Sequence, residues 1–222
     1  MSVDINESSP AWRPLTAMQR RVVGVLVEKA KTTPDAYPMT LNAITNGCNQ
    51  KSNRYPQMQI ASDDVELTLE ELREMGAVAE IQGAGRVAKY KHRMYEWLGV
   101  QKAEIAVMVE LLLRGSQTVG ELRGRAHRME PIPDLGTLQP LLRSLEERKL
   151  VVSLTASGRG QVVTHGLYEL QELDKQRKKF ADGNVPVAPE PAPQPAAPSG
   201  VDELKARVAQ LEERVASLEA KL

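Results

Sequence analysis

A single cysteine, Cys48, in 222 residues excludes an internal disulfide and any zinc site built on cysteine pairs. Aromatic residues make up only 4%, so the core has to be built from Leu, Val, Ala, Met and Ile. No aromatic alternates with the basic residues, which leaves single-stranded nucleic acid without stacking platforms. Neither sign of charge is in excess: 29 Lys+Arg stand against 29 Asp+Glu. A surface that is cationic throughout is therefore excluded, and any basic patch is local. No apolar run approaches the roughly 18 residues of a membrane span, and the first residues lack the basic-then-apolar order of a secretory leader. The sequence thus predicts a cytoplasmic chain with no membrane association.

Chemistry is scarce as well. His92, His127 and His165 are scattered, no Gly-Lys-Ser/Thr phosphate loop exists, and Gly83-Ala-Gly85 lacks the strand–helix setting of a dinucleotide site. No carboxylate–histidine–metal constellation is visible. The expectation is a protein that is not an enzyme, with no cofactor and no metal. Lys51 and Arg54 lie near Cys48 in sequence and could lower a thiol pKa, but a cysteine ending a short helix is expected to pack.

What is present is organisation. Residues 1–14 are polar, with Pro10 and Pro14, and read as a flexible arm. Six prolines between Gly183 and Gly200, mixed with Ala and Val, make a stiff polyproline-like linker that cannot pack a core. The middle repeats itself. Leu15–Lys29 lays over Val100–Arg114, Thr40–Ile44 over Thr118–Leu122, and Leu72–Val78 over Leu145–Val151. The same order of elements at shrinking offsets points to an internal duplication with longer loops in the first copy.

Each copy reads helix, helix, helix, hairpin. Thr16 with Gln19 forms a capping box before a helix whose Met18, Val22, Val25 and Leu26 share a face. Pro34 and Pro38 follow its end, Thr40 opens a short second helix, and Ser62 is placed as the cap of a third that buries Val65, Leu69 and Leu72. Ala77–Ile81 and Val87–Tyr90 then flank a Gly-rich turn. In the second copy Thr118 pairs with Glu121, Leu138, Leu141 and Leu145 line the third helix, and two strands flank Ser157-Gly158-Arg159-Gly160. The predicted fold is mainly α with small β wings (α+β). It comprises two tandem winged-helix domains, 15–98 and 99–171, then a charged and Pro/Ala-rich linker, 172–200, and a coiled-coil helix, 201–222.

That last helix carries Val201, Leu204, Val208, Leu211, Val215, Leu218 and Leu222 in steps of 3 and 4. Val at a with Leu at d favours a parallel two-stranded coiled coil, and Arg207 and Arg214 at g face Glu212 and Glu219 at e of a partner. A homodimer is expected through these residues, although three heptads are short. Helix 103–113 bears on the same question, since nine of its eleven residues are apolar. It must be covered on both sides, by the first unit or by a second subunit.

Val22–Lys29, Thr33-Pro34 with Tyr37-Pro38, Cys48-Asn-Gln-Lys-Ser-Asn-Arg54, Leu111–Thr118 and Gly120–Arg125 resemble the YceH family of uncharacterised bacterial proteins. The resemblance covers about residues 14–170. It implies cytosolic tandem winged helices, often with a C-terminal coiled coil, and no mechanism. The second wing departs from the family, whose members tend to carry several arginines there. Here residues 156–163 keep only Arg159.

Winged helices commonly place their third helix in the DNA major groove. In the first unit residues 60–80 hold seven acids and one base, Arg73, a helix that phosphate repels. Arg86, Lys89, Lys91 and Arg93 follow on the wing, either to meet a backbone or to answer the acidic helix. In the second unit Arg123, Arg125 and Arg128 on helix two, Arg143 on helix three and Arg159 on the wing are the candidate nucleic-acid contacts. Asn49, Gln50, Lys51, Asn53 and Arg54 form a candidate docking loop for a protein, a nucleic acid or a small anion; alternatively, these amides hold their own loop together. The favoured reading is a non-enzymatic, dimeric regulatory or adaptor protein binding chiefly an unidentified protein partner. The alternative is a regulator that binds duplex DNA through its second winged helix.

Overall fold

The computed structural model describes residues 12–82 and 87–181. Residues 1–11 of the arm, Gly83–Arg86, the Pro/Ala-rich linker and the heptad positions of 201–222 lie outside them.

Helix α1 (Ala17–Thr32) starts at the expected capping box: Gln19 N–H donates to Thr16 Oγ1, and Thr16 N–H to Gln19 Oε1. A 3-10 turn, Pro34–Ala36, leads to β1 (Met39–Thr40) and α2 (Leu41–Cys48), which Thr40 caps through Ala43 N–H. Then come α3 (Ser62–Glu74), β2 (Val78–Ile81) and β3 (Lys89–His92). A short α4 (Met94–Leu98) connects to the second copy: α5 (Lys102–Arg114), β4 (Gln117–Thr118), α6 (Val119–Ala126), α7 (Leu135–Glu147), β5 (Val151–Ser153) and β6 (Val162–His165). Helix α8 (Leu170–Ala181) follows.

Both copies form three-stranded antiparallel sheets of matching order, β1-β3-β2 and β4-β6-β5. The equivalent threonines occupy equivalent registers, Thr40 opposite Lys89 and Thr118 opposite Val162. Helix, strand, two helices and two strands is a winged-helix-like order, and it occurs twice.

Several local expectations change. The wings gain a third strand, because two-residue β1 and β4 are too short to show a period. Ser62 is the first helical residue of α3, with Ala61 at the cap and no side-chain capping bond. In α7 the inward face is Leu138, Leu142 and Leu145, with Leu141 only half-buried; spacings of 3 and 4 are equally helical, and packing against α5 and α6 selects one. The stretch from 172, read as linker, is helical through Ala181, with Phe180 buried and Glu172 bound to Arg20. At the other end of the chain Trp12, inside the predicted arm, packs partly against the core.

Helix α5 packs on α1 across the middle of the molecule. Every residue from Glu104 to Arg114 is buried within the one chain, so the first unit supplies the cover that the apolar sequence demanded. One hydrophobic core runs through both copies, from Leu15 and Val22 to Leu145 and Val163. Each such side chain contributes about 1.5–3 kcal/mol on full burial. Gly24 permits the close approach of α1 to α5: a Cβ there would fall 2.7 Å from Leu113 Cδ2.

Candidate functional site

The two third helices present different outer surfaces. With Val65, Leu69 and Leu72 turned inward, α3 exposes Asp63, Asp64, Glu66, Glu70, Glu71 and Glu74. Among these carboxylates Leu67 is 60% exposed. Its one base, Arg73, pairs with Glu80 of β2 at 2.8 Å. Lys89, Lys91 and Arg93 are exposed and form no ion pair with α3 among the described residues.

Three of the five candidate nucleic-acid arginines are turned to internal partners. Arg123 donates to the carbonyls of Pro133 (3.0 Å) and Ile132 (3.4 Å). Arg125 donates to Gln117 Oε1 at 2.7 Å and lies 3.5 Å from Glu121. Arg128 is exposed, yet its guanidinium turns back to buried carboxylates, 2.5 Å from Glu28 and 3.3 Å from Glu110. Only Arg143 and Arg159 are exposed without an ion pair among the described residues.

In the 49–54 loop, Asn49 exchanges two hydrogen bonds with the Ile60 backbone, at 2.9 and 2.8 Å, and closes the insertion on itself. Gln50 donates to Ser52 Oγ, and Asn53 Oδ1 accepts from Arg114. Arg54 points inward, bonded to Gly47 O and, at 2.5 Å, to Glu28. Lys51 is the exposed member of the five.

These inward arginines build a charge seam between the copies. Glu28, on the α1 side that faces α5, accepts from Arg54 and Arg128. Glu110 of α5 meets Arg128, and its Oε1 lies 3.0 Å from Arg114 Nε in an ionic contact not aligned as a hydrogen bond. Burial alone would raise the Glu28 carboxyl, but Arg54 first and then Arg128 hold its pKa below the usual carboxylate value. Neither acid was singled out as a site residue from the sequence. The available signal was a carboxylate inside an apolar helical run, Val-Leu-Val-Glu28 and Met-Val-Glu110-Leu-Leu-Leu.

Beside the seam lies a small cavity of about 120 Å³, walled by α1, the 55–58 loop, the end of α5, β6 and α8. Arg20 and Arg21 enter it from α1, Arg114 and Ser116 from the α5 end, His165 from β6 and Lys179 from α8. Arg20 is matched by Glu172 through two bonds of 2.6 and 2.9 Å and covers the Tyr168 ring at 4.6 Å. Arg21 has no such match. It is 2% exposed, donates to the carbonyls of Cys48 (2.9 Å) and Pro56 (2.5 Å), and has no carboxylate partner among the described residues. Burial, with Arg54 nearby, lowers its pKa to about 10. Ser116 Oγ and His165 Nδ1 are buried without a hydrogen-bond partner among the described residues.

Cys48 is fully buried, and desolvation outweighs Arg21 and Arg54 to push the thiol up to about 12, so it packs rather than reacts. His127 Nδ1 accepts from Ile132 N–H, and His92 Nδ1 from Met94 N–H. Among the described residues no three His, Cys, Asp or Glu side chains could hold a metal ion, and no helix is long and apolar enough to cross a membrane.

Residues 15–159 match the family described as "Protein of unknown function, DUF480". The chain is 56% identical over 185 residues to a UPF0502 protein of Rhodopirellula baltica, covering 82% of this chain and 78% of that one. It is 40% identical over 207 residues to a UPF0502 protein of Solibacter usitatus, 93% of each chain. A third, from Shewanella pealeana, is 36% identical over 214 residues, 94% of this chain and 96% of the relative. These matches bear out the resemblance carried by the Cys-Asn-Gln-Lys and Leu-Leu-Leu-Arg-Gly stretches.

Proposed function

The chain belongs to the DUF480 family, and we propose that it acts as a non-enzymatic, dimeric regulatory adaptor that docks another protein on the outer face of α3. The observation that carries this reading is Leu67, 60% exposed in a field of carboxylates where a DNA reader would hold bases. An apolar anchor ringed by negative charge suits a partner with a basic and apolar face, and the same charges repel phosphate. The inward pairing of Arg123, Arg125 and Arg128 weakens the competing reading, DNA binding through the second unit. The heptads of 201–222 supply the dimer in this proposal.

Two measurements test it. Affinity capture from a bacterium that encodes the protein should recover a partner with the native chain and lose it with Leu67→Asp. Duplex DNA titrated across a salt series should bind weakly and without sequence preference. Tight binding with a steep salt slope, flattened by Arg143→Gln and Arg159→Gln, would overturn the adaptor in favour of the DNA reader.

A further inference from the structure

We propose that the cavity beside α1 binds the oxyanion head of a small ligand, a phosphate or carboxylate group, between Arg21, Arg114, Ser116, His165 and Lys179. A guanidinium carries five N–H donors, and Arg21 commits two of them to the Cys48 and Pro56 carbonyls. The rest belong to a buried cation with no carboxylate among the described residues, a state that proteins ordinarily compensate. Arg114 faces the same space and shares Glu110 with Arg128. The Arg20 charge is answered by Glu172, so positive charge remains in excess around the cavity.

Polarity and size fit the same class of ligand. Ser116 Oγ and Nδ1 of the neutral His165, both on residues of the cavity wall, are buried polar atoms that no hydrogen bond among the described residues satisfies. His165 is 1% exposed, and burial with Arg20 close by keeps it uncharged. The cavity of about 120 Å³ has room for one tetrahedral phosphate or one carboxylate. Exposed Tyr55 and Lys179 stand on the wall, so the body of a larger ligand would lie outside with its anionic head inside. Such a head would be held at once by α1, by β6 and by α8, and it would tie the two copies together. This site stands independently of docking through α3.

The test uses the full chain with inorganic phosphate, methyl phosphate and acetate in turn, each against chloride at matched ionic strength. Calorimetry should show one site per chain, and long-range ¹H–¹⁵N spectra should show His165 Nδ1 shifting on addition. Lys179→Gln and Ser116→Ala, which remove one rim charge and one hydroxyl, should each weaken binding several-fold while the far-UV spectrum is unchanged. Binding of any of the three anions with these signatures upholds the proposal. A preference for inorganic phosphate names the free ion, and equal or tighter binding of methyl phosphate or acetate names a larger monoester or acid. If all three anions match chloride, or if binding occurs with a silent His165 and is indifferent to both substitutions, the proposal fails.

Discussion

Glu28 and Arg128 stand one hundred residues apart in the chain and meet at 2.5 Å. The Glu28 carboxylate also accepts a 2.5 Å bond from Arg54, so one buried acid joins α1, the 49–60 insertion and the segment after α6. The second copy is thereby locked to the first by charge as well as by the α1–α5 apolar contact.

Removing that acid should leave Arg54 with no carboxylate partner among the described residues and Arg128 with only Glu110, at 3.3 Å. Glu28→Gln is expected to lower the unfolding free energy by about 3–5 kcal/mol, measured by urea denaturation. Arg128→Gln should cost less, about 1–3 kcal/mol, because a third of that side chain is in solvent. A double-mutant cycle should show coupling of about 1–3 kcal/mol; additive effects would mean that the pair contributes nothing of its own.

Acid should weaken the fold well before the carboxylates titrate. Burial lowers the His92 pKa to about 4, and burial with Arg20 lowers His165 far below its ordinary value. An unfolded histidine takes up its proton near pH 6.5, so the unfolded state binds more protons than the folded state below that point. Stability should then fall by about 1.4 kcal/mol per pH unit on account of His92 between pH 6.5 and about 4, and His165 adds a loss in the same direction as the pH drops below 6.5. His92→Gln should remove one share of that slope in unfolding titrations. The Glu28 contribution has the opposite type of group but the same direction. Its folded pKa is depressed, so its stabilisation is present above about pH 4.5 and is lost as the pH falls through the folded value.

Two glycines are fixed by what lies beside them. At Gly24 a Cβ would sit 2.7 Å from Leu113 Cδ2 and 2.9 Å from Cγ. Gly24→Ala gains roughly 1 kcal/mol of helix propensity, but overpacking of about 1–3 kcal/mol opposes it, and a net loss is expected. At Gly166 the Cβ would fall 1.9 Å from the Lys149 carbonyl oxygen. Backbone cannot yield as a side chain does, so Gly166→Ala should cost about 3 kcal/mol or more. Thermal melts of both variants check the order.

Light scattering decides assembly. The full chain should be a dimer and a chain ending at Asp182 a monomer, since α5 is already covered within one chain and only the heptads of 201–222 call for a partner. A dimer that survives the truncation would move the interface onto the folded part.

Much of the architecture could be read in advance because it rests on short-range rules. The capping boxes at Thr16–Gln19 and Thr118–Glu121 formed as their spacing requires. The duplicated order of elements, the inward face of α3 and the family resemblance followed from neighbouring residues, whereas α1 is buried all round from Gln19 to Glu28 and Met18 of its expected face is only half-buried. The boundaries that slipped are those where the local pattern is ambiguous: Leu141 against Leu142, Ser62 against Ala61, and the amphipathic α8, whose burial hangs on one residue, Phe180.

The candidate sites were less legible. Arg54, Arg123, Arg125 and Arg128 read as surface cations because a long guanidinium side chain can be solvated or turned inward. The carboxylates and carbonyls that decide between these lie 26 residues from Arg54, 9 and 10 from Arg123 and 100 from Arg128. The cavity draws its walls from five separate stretches, so no window of sequence contains it. The sequence by itself determined the periodicity, the caps and the duplication, since helix and strand formation depend on residues within a turn or two. Only the tertiary structure decided which charges are buried, because the free energy of a buried ion depends on partners that folding alone brings within hydrogen-bond reach.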